Sequence, residues 1–343
     1  MANAPIESGI GSLWLAKQSA LGARAGVTDT STIRPRWASG ALKANKMLGQ
    51  EEYVDGNRFG SPAVYADNLA GEVGSVVVQA QPETAGPLFA WILGVDTVTG
   101  AGDPWTHTMT SAGTGGKYLT IHQKVGSAIG PVRQRYWDAK IAKLMWECGQ
   151  DQKTAHLTSD VQALTAAEAF GTDPTAAEAT TDPFYWPEVV GAIQLDTVVT
   201  AECHGEVLEI DTKLSPYKGD NISPLALVEG KGEITRTVRT IVTDDTLANY
   251  YNALYGATGS PASGTLPVAT VYYANIDTKY TKSANRTLQI QTPRVAVKPD
   301  DLVVAPQPEG GVVEMILGGV ALKNGATPAL TVIAKTGDST TYA

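Results

Sequence analysis

Apolar and polar residues alternate with a period of two over much of this chain, the pattern of strands with one buried and one wet face. From Gly191 to Leu214, Ile193, Leu195, Val199, Ala201 and Cys203 fall on one parity, with Gln194, Asp196, Thr200, Glu202 and His204 on the other. After Gly205 the apolar parity moves to Leu208, Ile210 and Leu214, opposite Glu209, Asp211 and Lys213. A one-residue slip at a glycine predicts a turn or bulge. A second run sets His156, Thr158, Asp160 and Gln162 against an apolar parity. Gly, Pro, Asn and Asp clusters separate such runs, so the chain reads as mainly β.

Two short helices interrupt the strands. Pro87 to Leu93 starts with Pro at the first helical position and stops at Gly94. The other is capped by Thr243 or Asp244, carries the stripe Leu247, Tyr250, Tyr251 and Leu254, and stops at Gly256. Strand, helix and four further strands follow one another in the same order in both halves. The strand starts Gly71-Glu72-Val73 and Gly232-Glu233-Ile234 and the helix stops Gly94 and Gly256 keep the same offset to within one residue. The expectation is two similar antiparallel β-sandwich or barrel-forming domains, each with one short flanking helix. The boundaries are an N-terminal arm at 1–36, a first domain at 37–164, a linker at 165–190 and a second domain at 191–343. The linker is read from its repeated Ala-Ala-Glu-Ala and its breakers Asp173-Pro174 and Asp182-Pro183.

The net charge of −9 narrows the partners. Gripping phosphates takes clustered Lys and Arg, and Arg133, Arg135, Lys140 and Lys143, the nearest approach to a cluster, are interrupted by Asp138. Two cysteines make no disulfide framework. The N-terminal residues carry no basic and apolar signal pattern, and no apolar run approaches the ~20 residues of a membrane helix.

Candidate chemistry is thin. Ser111 to Tyr118 is glycine-rich, but its spacing is wrong for a phosphate loop and Tyr118 stands where Ser or Thr must reach Mg²⁺. A flexible hairpin loop is expected there. Cys148, His156, Cys203 and His204 lack paired zinc-ligand spacing. No G-x-S-x-G occurs, and all four histidines sit in strand-like runs. No enzyme, cofactor or metal is expected.

One long stretch resembles a known family. It comprises Gly71-Glu72-Val73-Gly74-Ser75-Val76-Val77-Val78-Gln79-Ala80-Gln81-Pro82, then Gly86-Pro87-Leu88-Phe89-Ala90-Trp91-Ile92-Leu93-Gly94. Trp105-Thr106-His107-Thr108-Met109, Tyr118-Leu119-Thr120-Ile121 and Tyr136-Trp137-Asp138-Ala139-Lys140-Ile141 through Gly149 follow. Together they resemble the major tail tube proteins of long-tailed, non-contractile phages. Ser223-Pro224-Leu225 through Glu233-Ile234-Thr235 is similar to a tail-tube strand pair. The resemblance implies a non-enzymatic virion tail protein, made in the host cytoplasm, that assembles with itself into stacked rings around a channel. Tape measure and tail-end proteins are implied partners, and DNA passes without specific binding. Two domains per chain imply trimeric rings with pseudo-sixfold symmetry, with hexameric rings as the alternative.

The acidic balance suits a conduit, since a cationic wall would hold phosphates. The wet parities supply the candidate lumen-facing residues: Asp196, Glu202, Glu209 and Asp211 in one run, His156, Thr158, Asp160 and Gln162 in the other. Inter-ring contact is expected from the N-terminal segment, the Gly49 to Pro62 stretch and the Lys218 to Pro224 loop. The competing reading is a β-sandwich interaction module for capsid decoration or host-surface binding.

Overall fold

The structure, a computed structural model, describes residues 11–44, 47–51, 63–67, 72–111, 113, 115–126, 131–149, 151–164, 168–186, 193–195, 198–200, 203–217, 225–241, 272–297 and 314–343. The first half contributes β1 (Gly11–Lys17), β2 (Trp37–Ala44), β3 (Met47–Glu51), β4 (Ala63–Asp67), β5 (Glu72–Gln79) and the helix α1 (Pro82–Leu93). It continues with β6 (Gly94–Thr99), β7 (Trp105–Ser111), β8 (Leu119–Val125), β9 (Val132–Gly149), β10 (His156–Ala163) and β11 (Glu168–Ala169). The second contributes β12 (Ile193–Leu195), β13 (Val198–Thr200), β14 (Cys203–Asp211), β15 (Ser215–Tyr217), β16 (Ala226–Val228) and β17 (Glu233–Ile241). The last strands are β18 (Tyr272–Ser283), β19 (Arg286–Val297), β20 (Glu314–Ala321) and β21 (Thr331–Thr336).

The fold is mainly β, and every ladder among the described residues is antiparallel. Fifteen strands form one sheet along the path β2-β5-β10-β9-β14-β17-β20-β19-β21-β7-β6, with β1, β8, β11 and β18 attached beside it. Strands of the two halves meet twice, where β14 pairs with β9 and where β21 pairs with β7. The order β2-β5-β10-β9-β8 of the first half recurs as β14-β17-β20-β19-β18 in the second. In that order β8 stands where β18 does, and β7 and β21, which lie outside it, pair with each other.

The helix α1 packs against β6, β7, β9, β19 and β21. Phe89 of the helix stands 6.3 Å from Trp146 of β9, and Trp146 stands 5.0 Å from Tyr280 of β18. These aromatics and Phe184 make the centre of a single core. Alternate residues of β10 are buried, as period-two patterning requires.

The helix starts five residues before its expected Pro87. Gln81 is the N-cap residue, Pro82 occupies the first turn, and the Gln81 amide donates to Thr84 Oγ1 at 3.3 Å. Pro87 therefore lies inside the helix, held because α1 is buried almost all round. Gly94 ends it in the left-handed region at φ 91°. The second expected helix, around Thr243 to Gly256, lies outside the described residues.

Part of the expected N-terminal arm is an interior strand. Residues 11–17 pair with β8 throughout, and Leu13 and Leu15 are fully buried. Residues 168–186, expected as linker, lie as a strap across the first half. Trp14 donates to Ala176 O, Gln81 donates to Ala179 O and Thr181 O, and Asp173 pairs with Lys124 and Arg133. Among the described residues β7 and β8 do not pair, so the Ser111 to Tyr118 stretch does not close the expected hairpin. Lys117 N donates to Trp91 O at 2.7 Å, and a Cβ on Gly116 would meet Trp91 O at 2.7 Å, so only glycine fits.

Candidate functional site

The two wet parities read from the sequence converge on one face of the sheet. β9 is the common partner of β10 and β14, so the register of each ladder fixes what stands beside what. Asp160 of β10 and Asp211 of β14 both lie opposite Lys143 of β9. Thr158 and Glu209 both lie opposite Met145, and His156 and Val207 both lie opposite Glu147. A bulge between Asp160 and Val161 leaves Gln162 opposite Lys140. The rows continue onto β17, where Glu233 stands beside Asp211 and Thr235 beside Glu209. The alternate side chains of β10 and β14 point into the core, as Leu157, Val161, Leu208 and Ile210 do.

The resulting face is half-exposed and mostly acidic. Glu147, Asp160, Glu209, Asp211 and Glu233 outnumber Lys143, Lys213 and Arg239, and Arg239 at the far end of β17 pairs with Asp151. Lys143 Nζ binds Glu209 at 2.8 Å with side chains about a third exposed, and Lys213 binds Asp211 at 2.5 Å. The Lys143 ammonium is held above its usual pKa by the hydrogen bond to Glu209 and by the charges of Glu209, Asp160 and Asp211. Burial raises the Asp211 carboxyl, but the Lys213 hydrogen bonds and the Lys213 and Lys143 charges outweigh it, so the pKa falls. Gln152 hydrogen-bonds His156 at the end of the face. Such a surface carries charge and water but offers phosphates no cluster of cations.

Six of the eight candidates share this face: His156, Thr158, Asp160, Gln162, Glu209 and Asp211. Asp196 and Glu202 lie outside the described residues. Sequence reading missed that β9 contributes Lys143 and Glu147 between the two runs. Their parity was legible, but which strands flank β9 was not.

The other chemistry-bearing residues serve structure. His107 is buried with Asp96, 2.9 Å from its carboxylate, and stacks on Tyr342 at 4.1 Å. His122 is fully buried with neither ring nitrogen hydrogen-bonded. Cys148 is buried in β9. Among the described residues no three of His, Cys, Asp or Glu gather as a metal site, and no helix is long and apolar enough to cross a membrane.

Among the described residues the acidic face carries no cluster of metal-ligating groups. The model of the phage tail tube protein family matches residues 10–311. The chain belongs to that family. It is thus a structural tail tube protein of the virion tail, from a family that is not an enzyme class and whose members assemble into a tube. Compared with curated proteins, the chain has no match.

Proposed function

We propose that this tail tube protein builds stacked rings around a channel, with the acidic face of β10, β9, β14 and β17 turned to the lumen. Family membership carries the tube, and the convergence of both wet parities on one face supports the lumen assignment. Among the described residues β2 pairs only with β5, β6 only with β7, β1 only with β8 and β18 only with β19, so the sheet has open edges. Unpaired edges invite pairing with another chain, and a closed ring of copies satisfies them. The recurrence of one strand order in both halves supports a duplicated tail-tube unit. Three chains would then give a ring with pseudo-sixfold symmetry.

DNA passing through meets carboxylates that repel it over about 8 Å at physiological salt. The channel therefore guides the genome without holding it. The long-tailed, non-contractile type, and tape measure and tail-end proteins as partners, belong to the same proposal.

Electron microscopy of the purified chain tests it first: stacked rings with three copies each are expected. The face is tested by Asp160→Lys, Glu209→Lys and Asp211→Lys together. Assembly should survive, because exposed charges contribute little to folding. DNA passage should slow, more at low salt, because bound phosphates release counterions. Unchanged passage through tubes carrying the lysines would place this face elsewhere.

A further inference from the structure

The strap at 168–186 complements the face it crosses. It carries Glu168, Asp173, Glu178 and Asp182 and no Lys or Arg. Beneath it, the registers of β1, β8 and β9 set two rows side by side: Ser12, Lys124 and Arg133 in one, Trp14, His122 and Arg135 in the other. Arg34 adds a charge beside them, 5.1 Å over the Trp14 ring and 3.0 Å from Ser12 Oγ. These cations are far apart in the sequence, and the ladders gather them on one face.

The ends of the strap are held differently from its middle. At one end β11 pairs with β9, and at the other Phe184 is buried in the core. Between them ion pairs recur. Asp173 bridges Lys124 at 2.5 Å and Arg133 at 2.8 Å, Glu178 stands 3.4 Å from Arg34, and Asp182 stands 3.6 Å from Arg36. Neutral bonds add to these: Trp14 Nε1 donates to Ala176 O at 3.2 Å, Thr175 N to Val27 O at 2.9 Å and Ala179 N to Arg34 O at 3.1 Å. Phe170 closes over His122 with the ring centroids 5.0 Å apart. The imidazole is fully buried, and neither nitrogen has a hydrogen-bond partner.

We propose that residues 170–182 form an acid-released latch, which opens as a loop hinged on β11 and Phe184 when His122 takes up a proton, while the sheet beneath stays intact. Facing His122 are Arg135 of β9, Arg24 of the segment after β1 and Lys124 two residues along β8. The carboxylates on this face are Asp173, already bound to Lys124 and Arg133, and Glu168, opposite Arg135 in the β11 ladder. An imidazolium under Phe170 adds charge among cations and two N–H donors that meet no acceptor, and lifting Phe170 gives it water. Burial, helped by the Arg135 and Arg24 charges, holds the His122 pKa at about 4 while the strap is closed. In water it is about 6.5, so protons favour the open form between those values. Asp173 acts in the same direction at lower pH. Burial raises its carboxyl, the Lys124 and Arg133 hydrogen bonds outweigh that and lower it, and protonation then releases both cations. Opening also withdraws Ala179 O and Thr181 O from Gln81, the N-cap residue of α1, so the latch acts on the start of the helix.

Hydrogen exchange of the full chain, followed by mass spectrometry with each rate corrected for its intrinsic pH dependence, tests the latch. Peptides from 170–182 should open about fiftyfold more at pH 4.5 than at pH 7, the ratio set by proton uptake at about 6.5 when open and about 4 when closed. Peptides from β9 and β14 should keep their protection. His122→Phe, which keeps the ring against Phe170, should flatten the rise, and Asp173→Asn should increase opening already at pH 7. Strap protection that does not change with pH in the wild type would overturn the latch without recourse to any variant. Equal loss in the strap and β9 would make the event global unfolding and overturn it too. A rise that persists in His122→Phe would overturn His122 as the trigger, and unchanged protection in Asp173→Asn would overturn charge as what holds the strap.

Discussion

Glu206 of β14 and Arg236 of β17 form a fully buried ion pair, with 2.6 Å between Oε2 and Nη2. Arg236 lies diagonal to Glu206 in the ladder, opposite Leu208. The carboxylate also accepts from Trp146 Nε1 at 3.1 Å, from Thr278 and from Tyr280, while the guanidinium donates to Ile276 O and Ile290 O. The pair thus ties β9 of the first half to β14, β17, β18 and β19 of the second. Burial, followed by the Glu206 charge, raises the Tyr280 phenol well above its usual range, so it stays a donor.

Removing one partner leaves the other charge stranded in the core. Arg236→Met should therefore destabilise the chain by about 3–5 kcal/mol, and Glu206→Gln, which keeps an acceptor oxygen, by less. Replacing both with apolar residues should recover part of the loss, but Tyr280, Thr278 and Trp146 would remain without their acceptor. Urea unfolding of the two single variants and the double variant measures the coupling.

His122 makes the protein sensitive to acid. Burial, helped by the Arg135 and Arg24 charges, pushes its pKa down to about 4. The unfolded chain takes up this proton near pH 6.5, and the folded one only near 4. Stability should fall as the pH drops from about 6.5 to about 4, by up to about 3 kcal/mol, and this contribution should not change further below that. His122→Phe should abolish that dependence while keeping the edge contact with Phe170, whose ring centroid lies 5.0 Å away. Melting temperatures of both proteins between pH 4 and pH 7 decide it.

His107 carries the opposite sign. Burial lowers its pKa, but the hydrogen bond to Asp96, the bond to Asp338 O and their charges outweigh it, and the net shift is upward. The same Asp96 carboxylate accepts the Tyr342 amide at 2.8 Å, and Trp91 Nε1 donates to Tyr342 O at 3.0 Å. The protonated ring therefore helps hold the C-terminal segment. Its contribution should be complete below pH 6.5 and disappear as pH rises through the folded-state pKa. An NMR titration of His107 should show the raised pKa, and Asp96→Asn should bring it down and loosen residues 337–343 in hydrogen exchange.

Leu15 and Leu21 should separate the interior from the surface within a segment that reads as an arm. Leu15→Ala should destabilise by about 2–5 kcal/mol, because it opens a cavity between β1 and the core. Leu21, 46% exposed, should tolerate the same change within about 0.5 kcal/mol. Thermal unfolding of the two variants measures the difference.

The sequence by itself determined the local grammar. The alternations along 156–163 and 203–211 put Leu157, Val161, Leu208 and Ile210 inside and Asp160, Glu209 and Asp211 outside, because a strand's side-chain period is two whatever its neighbours are. Gly94 as the helix stop was legible for the same local reason: its αL conformation suits glycine. The charge balance and the run from Gly71 to Gly149 were enough to point to the family.

What only the tertiary structure decided is which strand lies beside which. Nothing local to β9 announces that β10 and β14 flank it, so the merging of two acidic runs into one face around Lys143 could not be read from the sequence. Gly11–Lys17 lacked a clear pattern because a strand buried nearly throughout does not alternate. Pro87 was misplaced as a helix start because burial on nearly every side of α1 overrides the local cost of an interior proline. Long-range pairing also closed the Glu206–Arg236 network, whose members come from residues 146 to 290. Local propensity acts over a few residues, whereas register, burial and charge pairing are settled when distant strands meet.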